Sequence, residues 1–366
     1  MDGRGGGADE WAVIQELLPE GWIDAARELG AFRRSRSMKT PGELLRLLLF
    51  HAVNDGGLRD TVQQAKVAGI AEMSQVALLK RLRTSGDWLA WLGQGLSENL
   101  RQHGPAIPTS LRPRAIDATG VQMPASKGSD WRVHYSLDLT TLQCDWHEVT
   151  TAKGGEKLTR VPVKAGDVLL ADRAYMSVPG VAHVVGNGGH VLVRLRWNHS
   201  KMLDARGKSF HALTRASRLR VRAVGDWPVS LVAEDGETIK GRVIAVRLPR
   251  PVAEKSIRRA AKEARRRSRR VDPRTLKAAN FVMVFTTLRD EDLSGPDALE
   301  LYRCRWQIEL AFKRLKQLLK LGRLPHKEPT AARSWILAKL VVALLLETLY
   351  RNAESFSPWG YRLRAA

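Results

Sequence analysis

Residues 167–172 read DVLLAD, an apolar run between two aspartates, and they point to the fold more directly than any other stretch of the chain. Four consecutive apolar residues are typical of a strand that is buried on both faces of a parallel sheet. Residues 114–117 (RAID) resemble this pattern, with Asp117 in the place of Asp172. Ligand sites form at the carboxyl ends of strands in α/β sheets, so both aspartates are candidate site residues. An Asp after a buried strand is also a common turn residue, and either one alone is a weak signal.

The segments around these two runs also have strand and helix patterns. Three further strands and one helix are predicted, at residues 132–137, 144–149 and 190–195 and at residues 178–185, respectively. Three strands followed by strands that alternate with helices predict an α/β layer with a mixed sheet. A helical pair at about residues 297–320 and 330–352 closes the chain.

Residues 200–290 break this alternation and predict a β-rich insertion. Strands are predicted there at residues 219–223, 229–233, 242–248 and 281–286. Between them, residues 255–270 contain nine Lys or Arg and one Glu, which indicates a basic helix. Such a tract is either a solvated helix or a contact for the DNA backbone, and repulsion among its cations favours a nearby polyanion. The candidate contacts are Arg258, Arg259, Arg265 and Arg266.

Residues 10–105 are predicted to be helical. Residues 40–43 (TPGE) are a helix start signal, with Pro early in the helix and Glu in its first turn. Residues 74–83 combine a Ser cap with an apolar stripe, and Lys80 and Arg81 lie among the basic residues of the other face. A short helix of this kind could enter the major groove of DNA, and a solvated helix on a small bundle explains it equally well.

The composition favours nucleic acid as a partner. The chain has 366 residues with 60 Lys or Arg against 38 Asp or Glu, a formal net charge of +22 and a pI near 10.5. A surplus of this size attracts polyphosphates, and an anionic membrane surface is the second choice. A hydrophobic fraction of 44% excludes a wholly disordered chain.

Other function classes are excluded by motifs that the chain lacks. The two cysteines are far apart, which excludes a disulfide framework or a zinc ribbon and suits a reducing cytosol. There is no phosphate-binding Gly-rich loop, so a nucleotide cofactor is not expected. Residues 335–350 are too short an apolar run to span a bilayer, so no membrane partner is expected. We therefore predict a soluble cytoplasmic protein.

The helix predicted at residues 297–320 carries an aligned set of polar side chains. At spacings of 3, 4, 4 and 3 they fall on one face of an α-helix, with Trp306 nearby: Tyr302, Arg305, Glu309, Lys313 and Lys316. A solvated face of alternating charge would explain the Arg, Glu and Lys residues but not the aligned Tyr. If this face serves a ligand, Arg305 and Lys316 should be surface groups that contribute little to stability.

The combination of these motifs resembles the insertion-sequence-four family of DDE transposases. Tyr302, Arg305, Glu309 and Lys316 match the Y-R-E-K signature of that family, and residues 116–117 and 171–175 resemble its two aspartate motifs. The resemblance covers roughly residues 112–350. It implies an RNase H-like core with a long β-rich insertion before the glutamate helix, which fits the 137 positions between Asp172 and Glu309.

The resemblance also implies a catalytic and metal-binding role for Asp117, Asp172 and Glu309. Phosphodiester cleavage with two divalent ions needs carboxylate ligands, and these suit Mg²⁺, for which Mn²⁺ can substitute. In the family scheme Asp117 bridges the two ions, and Asp172 and Glu309 each complete one site.

For DNA contacts, the resemblance implies that Tyr302, Arg305 and Lys316 hold phosphates at the reacting transposon end. Lys313, Trp306 and Arg173, which lie beside the matched motifs, are further candidates. The family stacks a flipped base on an aromatic residue of the last inserted strand, typically Trp. Phe281 occupies that region here, and a core Phe on a strand is the better explanation.

We therefore predict an α/β transposase with four segments: a helical DNA-binding domain (1–105), the first part of the core (106–199), the β-rich insertion (200–290) and the C-terminal helices (291–366). It would bind inverted-repeat ends and target double-stranded DNA as a homodimer, in the bacterial cytoplasm at the nucleoid. Family members often continue with further helices that pair two protomers, whereas this chain ends 57 residues past Glu309. A shortened, inactive copy that acts as a DNA-binding repressor and a nuclease that never joins strands are the alternatives.

Overall fold

The computed structural model describes residues 6–33, 38–54, 56–102, 111–233, 236–266, 268, 270, 272–322, 324, 325 and 327–355. Residues 1–5 and positions 267 and 269 of the basic tract lie outside the described residues. The chain forms two compact units. The first unit comprises residues up to 106, 118–155 and those from 309 onward, and the second comprises residues 107–117 and 156–308. No helix in the described ranges is long and apolar enough to cross a membrane.

The α-helices, numbered along the chain, are α1 (Gly6–Glu16), α2 (Trp22–Glu28), α3 (Pro41–Val53), α4 (Leu58–Val67), α5 (Gln75–Thr84), α6 (Gly86–Gln102), α7 (Val178–Gly186), α8 (Ala212–Ala216), α9 (Arg250–Arg266), α10 (Pro273–Ala278), α11 (Gly295–Arg303), α12 (Gln307–Gln317) and α13 (Pro329–Ser355). The strands are β1 (Arg112–Val121), β2 (Trp131–Asp138), β3 (Gln143–Thr151), β4 (Asp167–Ala171), β5 (His190–Arg194), β6 (Met202–Asp204), β7 (Val224–Val232), β8 (Thr238–Arg247) and β9 (Phe281–Thr286).

The first unit is a helical bundle around a strand hairpin. Helix α13 packs against α3, α5, α6 and β3, so the N-terminal helices share a core with the C-terminal helix. Two of the predicted helix starts are confirmed by their caps: the Thr40 hydroxyl accepts a hydrogen bond from the Glu43 N–H, and the Ser74 hydroxyl accepts one from the Ala77 N–H. Each cap satisfies a backbone donor that the first helical turn leaves unpaired.

The second unit is built on a sheet of mixed direction. Its strands lie side by side in the order β1, β4, β5, β9, β8, β7 and β6. From residue 118 onward β1 belongs to the first unit, where β2 is its neighbour and β3 is the neighbour of β2. The described residues thus contain nine strands in this order. Strands β1, β4 and β5 are parallel, and β9, β8, β7 and β6 are antiparallel additions. This mixed α/β architecture, with an RNase H-like core and a β-rich insertion, confirms the predicted fold class.

Several predicted elements are corrected by the structure. Residues 219–223 were expected to form a strand but form a turn, with Arg222 in the left-handed region at φ 66°. Helix α9 begins and ends earlier than the basic tract, and β6, α8 and α10 were not predicted. The single helix expected at residues 297–320 is α11 and α12, separated by a 3₁₀ turn at Cys304–Trp306. That turn alters the alignment of the side chains expected on one face.

Candidate active site

Asp117, Asp172 and Arg194 follow one another across three neighbouring parallel strands of the second unit. Ile116 of β1 pairs with Ala171 of β4, and Ala171 pairs with Val193 of β5. The next residue along each strand is the charged one. Because adjacent strands lie about 4.8 Å apart, this register brings the two aspartates and the arginine to the same end of the sheet.

The sequence predicted that Asp117 lies at the end of its strand, and the structure corrects this. Strand β1 continues to Val121, whereas its neighbour β4 ends at Ala171. Asp117 therefore lies where the pairing with β4 stops, which leaves its side chain partly exposed at 22%. Asp117 is thus at the edge of the region paired with β4, and the residues before and after it both belong to β1.

Asp172 is fixed by its own local structure. It caps a 3₁₀ turn at Arg173–Tyr175, and its Oδ1 accepts a hydrogen bond of 2.6 Å from the Ala174 N–H. Asp side chains commonly hydrogen-bond the backbone two residues further on. Asp172 is thus a turn residue through its Oδ1. This hydrogen bond also restricts the direction in which Oδ2 can point.

Tyr302 and Arg305 lie over the aspartates, within the second unit. The Tyr302 hydroxyl donates to the Ala171 carbonyl (3.2 Å), and Arg305 Nη1 lies 3.4 Å from Asp117 Oδ2. Tyr302 is only 8% exposed and the Arg305 side chain 18%, so the expectation that Arg305 is a plain surface group is wrong. Burial raises the pKa of Tyr302, which keeps the phenol a neutral donor at neutral pH.

Arg194 belongs to this cluster and was not identified from the sequence. Burial lowers the pKa of Arg194 most. Tyr302 and Asp172 raise this pKa by smaller amounts, whereas the cations Arg173 and Arg305 lower it further. A guanidinium stays charged despite such a shift. The Arg194 side chain has no hydrogen bond to another described residue. The signal that selects Asp172, a charged residue ending a buried apolar strand, would also have selected Arg194.

A cavity of about 260 Å³ opens beside Arg194. Its walls carry three arginines and three large apolar side chains: Arg173, Arg194, Arg259, Trp197, Phe281 and Met283. Phe281 is only 4% exposed, as expected for a core residue of β9. Trp197, on the loop after β5, is half-buried and has the Arg274 guanidinium 6.0 Å from its ring centroid. The cavity therefore combines aromatic surface with positive charge.

The remaining members of the predicted helix face lie elsewhere. Glu309, Lys313 and Lys316 are exposed on α12 and belong to the first unit, and Trp306 is 49% exposed in the 3₁₀ turn. Within the described ranges, no group of three or more His, Cys, Asp or Glu side chains is arranged to hold a metal ion. The participation of Glu309 in the site stays a prediction.

The predicted DNA-contact residues outside this cluster are on two surface helices. Lys80 is exposed and Arg81 half-buried on α5, in the first unit. Arg258, Arg259, Arg265 and Arg266 are exposed on α9, in the second unit. Arg259 alone of these six also lines the cavity.

Comparison with known proteins extends the resemblance to most of the chain. Residues 108–345 match the family model described as "Transposase DDE domain". The putative transposase InsL of insertion sequence element IS186A from Escherichia coli (strain K12) is 34% identical over 359 residues, which is 96% of each chain. The transposase of insertion sequence element IS421 from Escherichia coli is 34% identical over 362 residues, again 96% of each chain.

The matched region contains both aspartates, Tyr302, Arg305 and Glu309 in the order that the family signature requires. Its strand order and its insertion before α11 agree with the fold of such a domain. The chain belongs to the insertion-sequence-four family of DDE transposases.

Proposed function

We propose that this protein is the transposase of an insertion sequence that moves by cutting and joining DNA. It binds the terminal inverted repeats as a homodimer in the bacterial cytoplasm, cuts at each end and joins the free 3′ hydroxyls to target DNA. The observation that carries the proposal is the row of Asp117, Asp172 and Arg194 across three parallel strands, with Arg305 beside Asp117. Two carboxylates and two guanidiniums within one cluster suit a phosphodiester, whose reaction needs both metal ligands and phosphate-binding cations.

The donor set fits divalent metal ions of the Mg²⁺ type. Carboxylate oxygens are hard ligands, and Asp172 uses only Oδ1 in its local turn. Asp117, Asp172 and Glu309 would hold the ions. When bound, two such ions make a water or 3′ hydroxyl more nucleophilic and stabilise the leaving oxygen.

The side chains around the aspartates would position the scissile phosphate. Arg194 is a half-buried cation without a hydrogen-bonding partner among the described residues, so a phosphate oxygen can take that place. Arg305 now lies at 3.4 Å from Asp117, a long contact that a phosphate could replace. Tyr302 adds a neutral hydroxyl, whose raised pKa preserves its proton. Lys313, Lys316 and Trp306 would extend this contact along the DNA.

The cavity beside Arg194 would accept the base that the family flips out of the transposon end. We assign the stacking role to Trp197 in preference to Phe281, because Phe281 is 4% exposed and packs in the core of β9. Base-stacking on an aromatic side chain contributes about 1–3 kcal/mol per base. Arg173 and Arg259 would hold the phosphates on either side of that base.

The two basic helices would supply the remaining DNA contacts. Helix α9 presents a face of exposed cations to the DNA backbone, and α5 would recognise the inverted repeat with Lys80 and Arg81 at its basic end. A backbone contact is insensitive to sequence and sensitive to salt, whereas α5 would carry the sequence preference.

Cleavage of the element's own ends tests this function. The full chain is mixed with a linear duplex that ends in the inverted repeats of the flanking genome, in Mg²⁺ and, as a control, without divalent ions. Asp117→Asn, Asp172→Asn and Glu309→Gln should each abolish cleavage and leave end binding within a few-fold, because carboxylates bind metal and not bases. Asp297→Asn, in the first turn of α11, is the matched control and should cleave normally.

The outcomes separate the proposal from its rivals. Binding without cleavage by the wild-type chain would support a repressor, and cleavage without joining to target DNA would support a simple nuclease. Full cleavage by any one of the three carboxylate variants would remove that residue from the site.

A further inference from the structure

A buried carboxylate lies at the beginning of β4, five residues before Asp172. Asp167 is 1% exposed, and two arginines of the neighbouring strand β1 contact it. Arg114 Nη1 donates to Asp167 Oδ2 at 2.8 Å, and Arg112 Nε donates to Asp167 Oδ1 at 2.9 Å. Arg114 is itself 1% exposed, so this is an ion pair without access to water. We refer to Arg112, Arg114 and Asp167 as the Asp167 cluster.

The two fully buried members of the cluster make further hydrogen bonds. Asp167 Oδ2 also accepts a hydrogen bond from the Lys164 N–H (3.0 Å), and Arg114 Nη1 also donates to the Pro162 carbonyl (2.7 Å). Charged groups are retained in a protein interior only when they are paired and hydrogen-bonded in this way. The cluster joins the start of β1 to the start of β4 and to the loop before it.

Burial of an ion pair is a poor route to stability, because the desolvation penalty offsets the attraction between the charges. Apolar residues of similar volume would stabilise such a site as well or better. The best-attested effect of buried charges is specificity, in particular the selection of one register. We therefore expect the Asp167 cluster to affect the register in which β1 pairs with β4.

The apolar residues of β4 cannot select that alignment. All five residues of β4 are buried, and the four that follow Asp167 (residues 168–171) are apolar, so beyond Asp167 both faces of the strand are apolar and covered. A strand that is buried on both faces has no polar side to distinguish one register from the next. In the observed register Arg112 pairs with Asp167, and four residues later Ile116 pairs with Ala171. A shift by one residue would turn the Asp117 side chain to the opposite face.

We infer that the Asp167 cluster sets the register of β1 against β4 and thereby places Asp117 beside Asp172. Arg112, Arg114 and Asp167 are positioning residues, since they would act on the aspartates through the pairing of β1 with β4. The inference rests on the proposed function, because it gives the cluster the task of assembling a metal-binding pair.

Metal binding by the full chain, with Mn²⁺ alone as the probe, tests this inference. The double variant R114M/D167N removes the two fully buried charges, leaves the 24% exposed Arg112 in place and keeps the side-chain volumes close to those of the wild type. We expect its melting temperature to stay near that of the wild type, while its affinity for Mn²⁺ falls at least tenfold. Hydrogen exchange of the β1 and β4 amides should become faster in the same variant.

The matched control is a second ion pair of the same unit, in which the arginine is buried and its aspartate Asp226 is 27% exposed. Arg242 is 8% exposed, and its Nη1 contacts Asp226 and lies 2.9 Å from Asp290, at the strands of the insertion. Arg242 also donates to the Leu288 and Leu293 carbonyls, so the variant R242M/D226N should lose some stability, but it should leave the Mn²⁺ affinity of the folded protein unchanged. If both double variants lower that affinity equally, the effect is general and the inference is overturned.

A milder variant covers the case in which R114M/D167N does not fold. Arg114→Lys keeps the charge but loses the guanidinium that reaches both Asp167 and Pro162. We expect faster exchange in β1 together with a loss of Mn²⁺ affinity of about threefold. Faster exchange with unchanged affinity would contradict the inference. Absence of Mn²⁺ binding by the wild type, or binding that Asp117→Asn leaves intact, would instead count against the proposed function.

Discussion

Asp167 is a buried carboxylate and Glu347 a half-buried one, and the two units satisfy them with opposite kinds of partner. In the second unit, Asp167 faces two guanidiniums. In the first unit, Glu347 of α13 accepts hydrogen bonds from the Tyr135 hydroxyl (3.3 Å) and from the Cys144 N–H (3.0 Å). Both partners of Glu347 are neutral, and burial raises its pKa.

The difference teaches how each unit holds its own candidate residues in place. An ion pair is directional and ties two strands in one register, whereas a carboxyl with a raised pKa can take up a proton and remain hydrogen-bonded. Tyr135, the partner of Glu347, packs edge-on against Phe312 of α12, with ring centroids 5.8 Å apart. The helix that carries Glu309 is thus supported by apolar packing and neutral hydrogen bonds, and the aspartates by charge.

The largest expected effect is on stability when one charge of the ion pair is removed. Asp167→Asn leaves Arg114 buried without a counter-charge, and breaking a buried pair in this way costs about 3–5 kcal/mol. Glu347→Gln keeps the volume and the neutral hydrogen bonds, and we expect a change within about 1 kcal/mol. Equilibrium urea unfolding of both variants at pH 7 measures the difference. Equal losses in the free energy of unfolding would show that the charge of the partner does not determine how much each carboxylate contributes to stability.

The second prediction concerns acid sensitivity in the first unit. His147 on β3 is 5% exposed beside the Ser97 hydroxyl (3.3 Å), and burial lowers its pKa to about 4. A neutral buried His stabilises the fold above its unfolded pKa of about 6.5, and this contribution is lost as the pH falls toward 4. Over that window the loss is about 3 kcal/mol.

The raised pKa of Glu347 acts in the opposite direction, since its contribution is complete below the unfolded value and is lost as the pH rises through the folded one. His147→Asn should therefore flatten the decline in stability between pH 6.5 and 4, and Glu347→Gln should improve stability relative to the wild type at alkaline pH. Denaturant unfolding at a series of pH values checks both. An unchanged acid slope in His147→Asn would exclude His147 as its source.

The third prediction contrasts a paired arginine with an unpaired one in the second unit. Arg194→Ala should slow single-turnover cleavage about a hundredfold, the effect expected when a reacting group is misplaced by about an ångström. Its stability should hold or rise slightly, because a half-buried cation without a hydrogen bond is removed. Arg303→Ala, an exposed residue 2.9 Å from Glu300, is the control and should cleave normally. Normal cleavage by Arg194→Ala would limit the phosphate contacts to Arg305 and Tyr302.

The smallest expected effect is on the salt dependence of DNA binding. Arg259→Gln with Lys262→Gln removes two exposed cations of α9, and the slope of log affinity against log salt should fall by about two. Arg289→Gln, an exposed cation that contacts Glu291 and lies 3.0 Å from Asp292, should leave the slope unchanged. Fluorescence anisotropy at several salt concentrations measures both slopes. An unchanged slope in the α9 variant would show that this helix does not contact the DNA backbone.

Much of the second unit could be predicted from local patterns because its strands are strongly apolar. The strand predicted at residues 281–286 agrees with β9, and both aspartates were selected from the strands that precede them. Residues 219–223 show the limit of such patterns. Their alternation of apolar and basic residues suits a strand, but Val221 is 54% exposed, so neither face of the segment is buried. Alternation predicts a strand only when one face becomes buried, which is a property of the tertiary structure.

The sequence indicated several residues of the candidate site but not the contacts that they make. The spacing of Tyr302 and Arg305 indicated a shared face, yet Tyr302 is buried against the Ala171 carbonyl and Arg305 lies beside Asp117. The 3₁₀ turn between α11 and α12 contains no Gly or Pro that would indicate it in the sequence. Contacts between residues more than a hundred positions apart depend on the sheet register, which local periodicity does not reveal.

The most direct test of the central claim, that Asp117 and Asp172 bind the catalytic metal ions, is a change of metal preference. Asp117→Cys and Asp172→Cys replace a hard oxygen ligand by a softer thiolate, which Mn²⁺ accepts more readily than Mg²⁺ does. Single-turnover cleavage of an inverted-repeat end should be lost in Mg²⁺ and partly restored in Mn²⁺ for both variants, while the wild type cleaves in either metal. Cleavage by the variants in Mg²⁺ at the wild-type rate would contradict the claim.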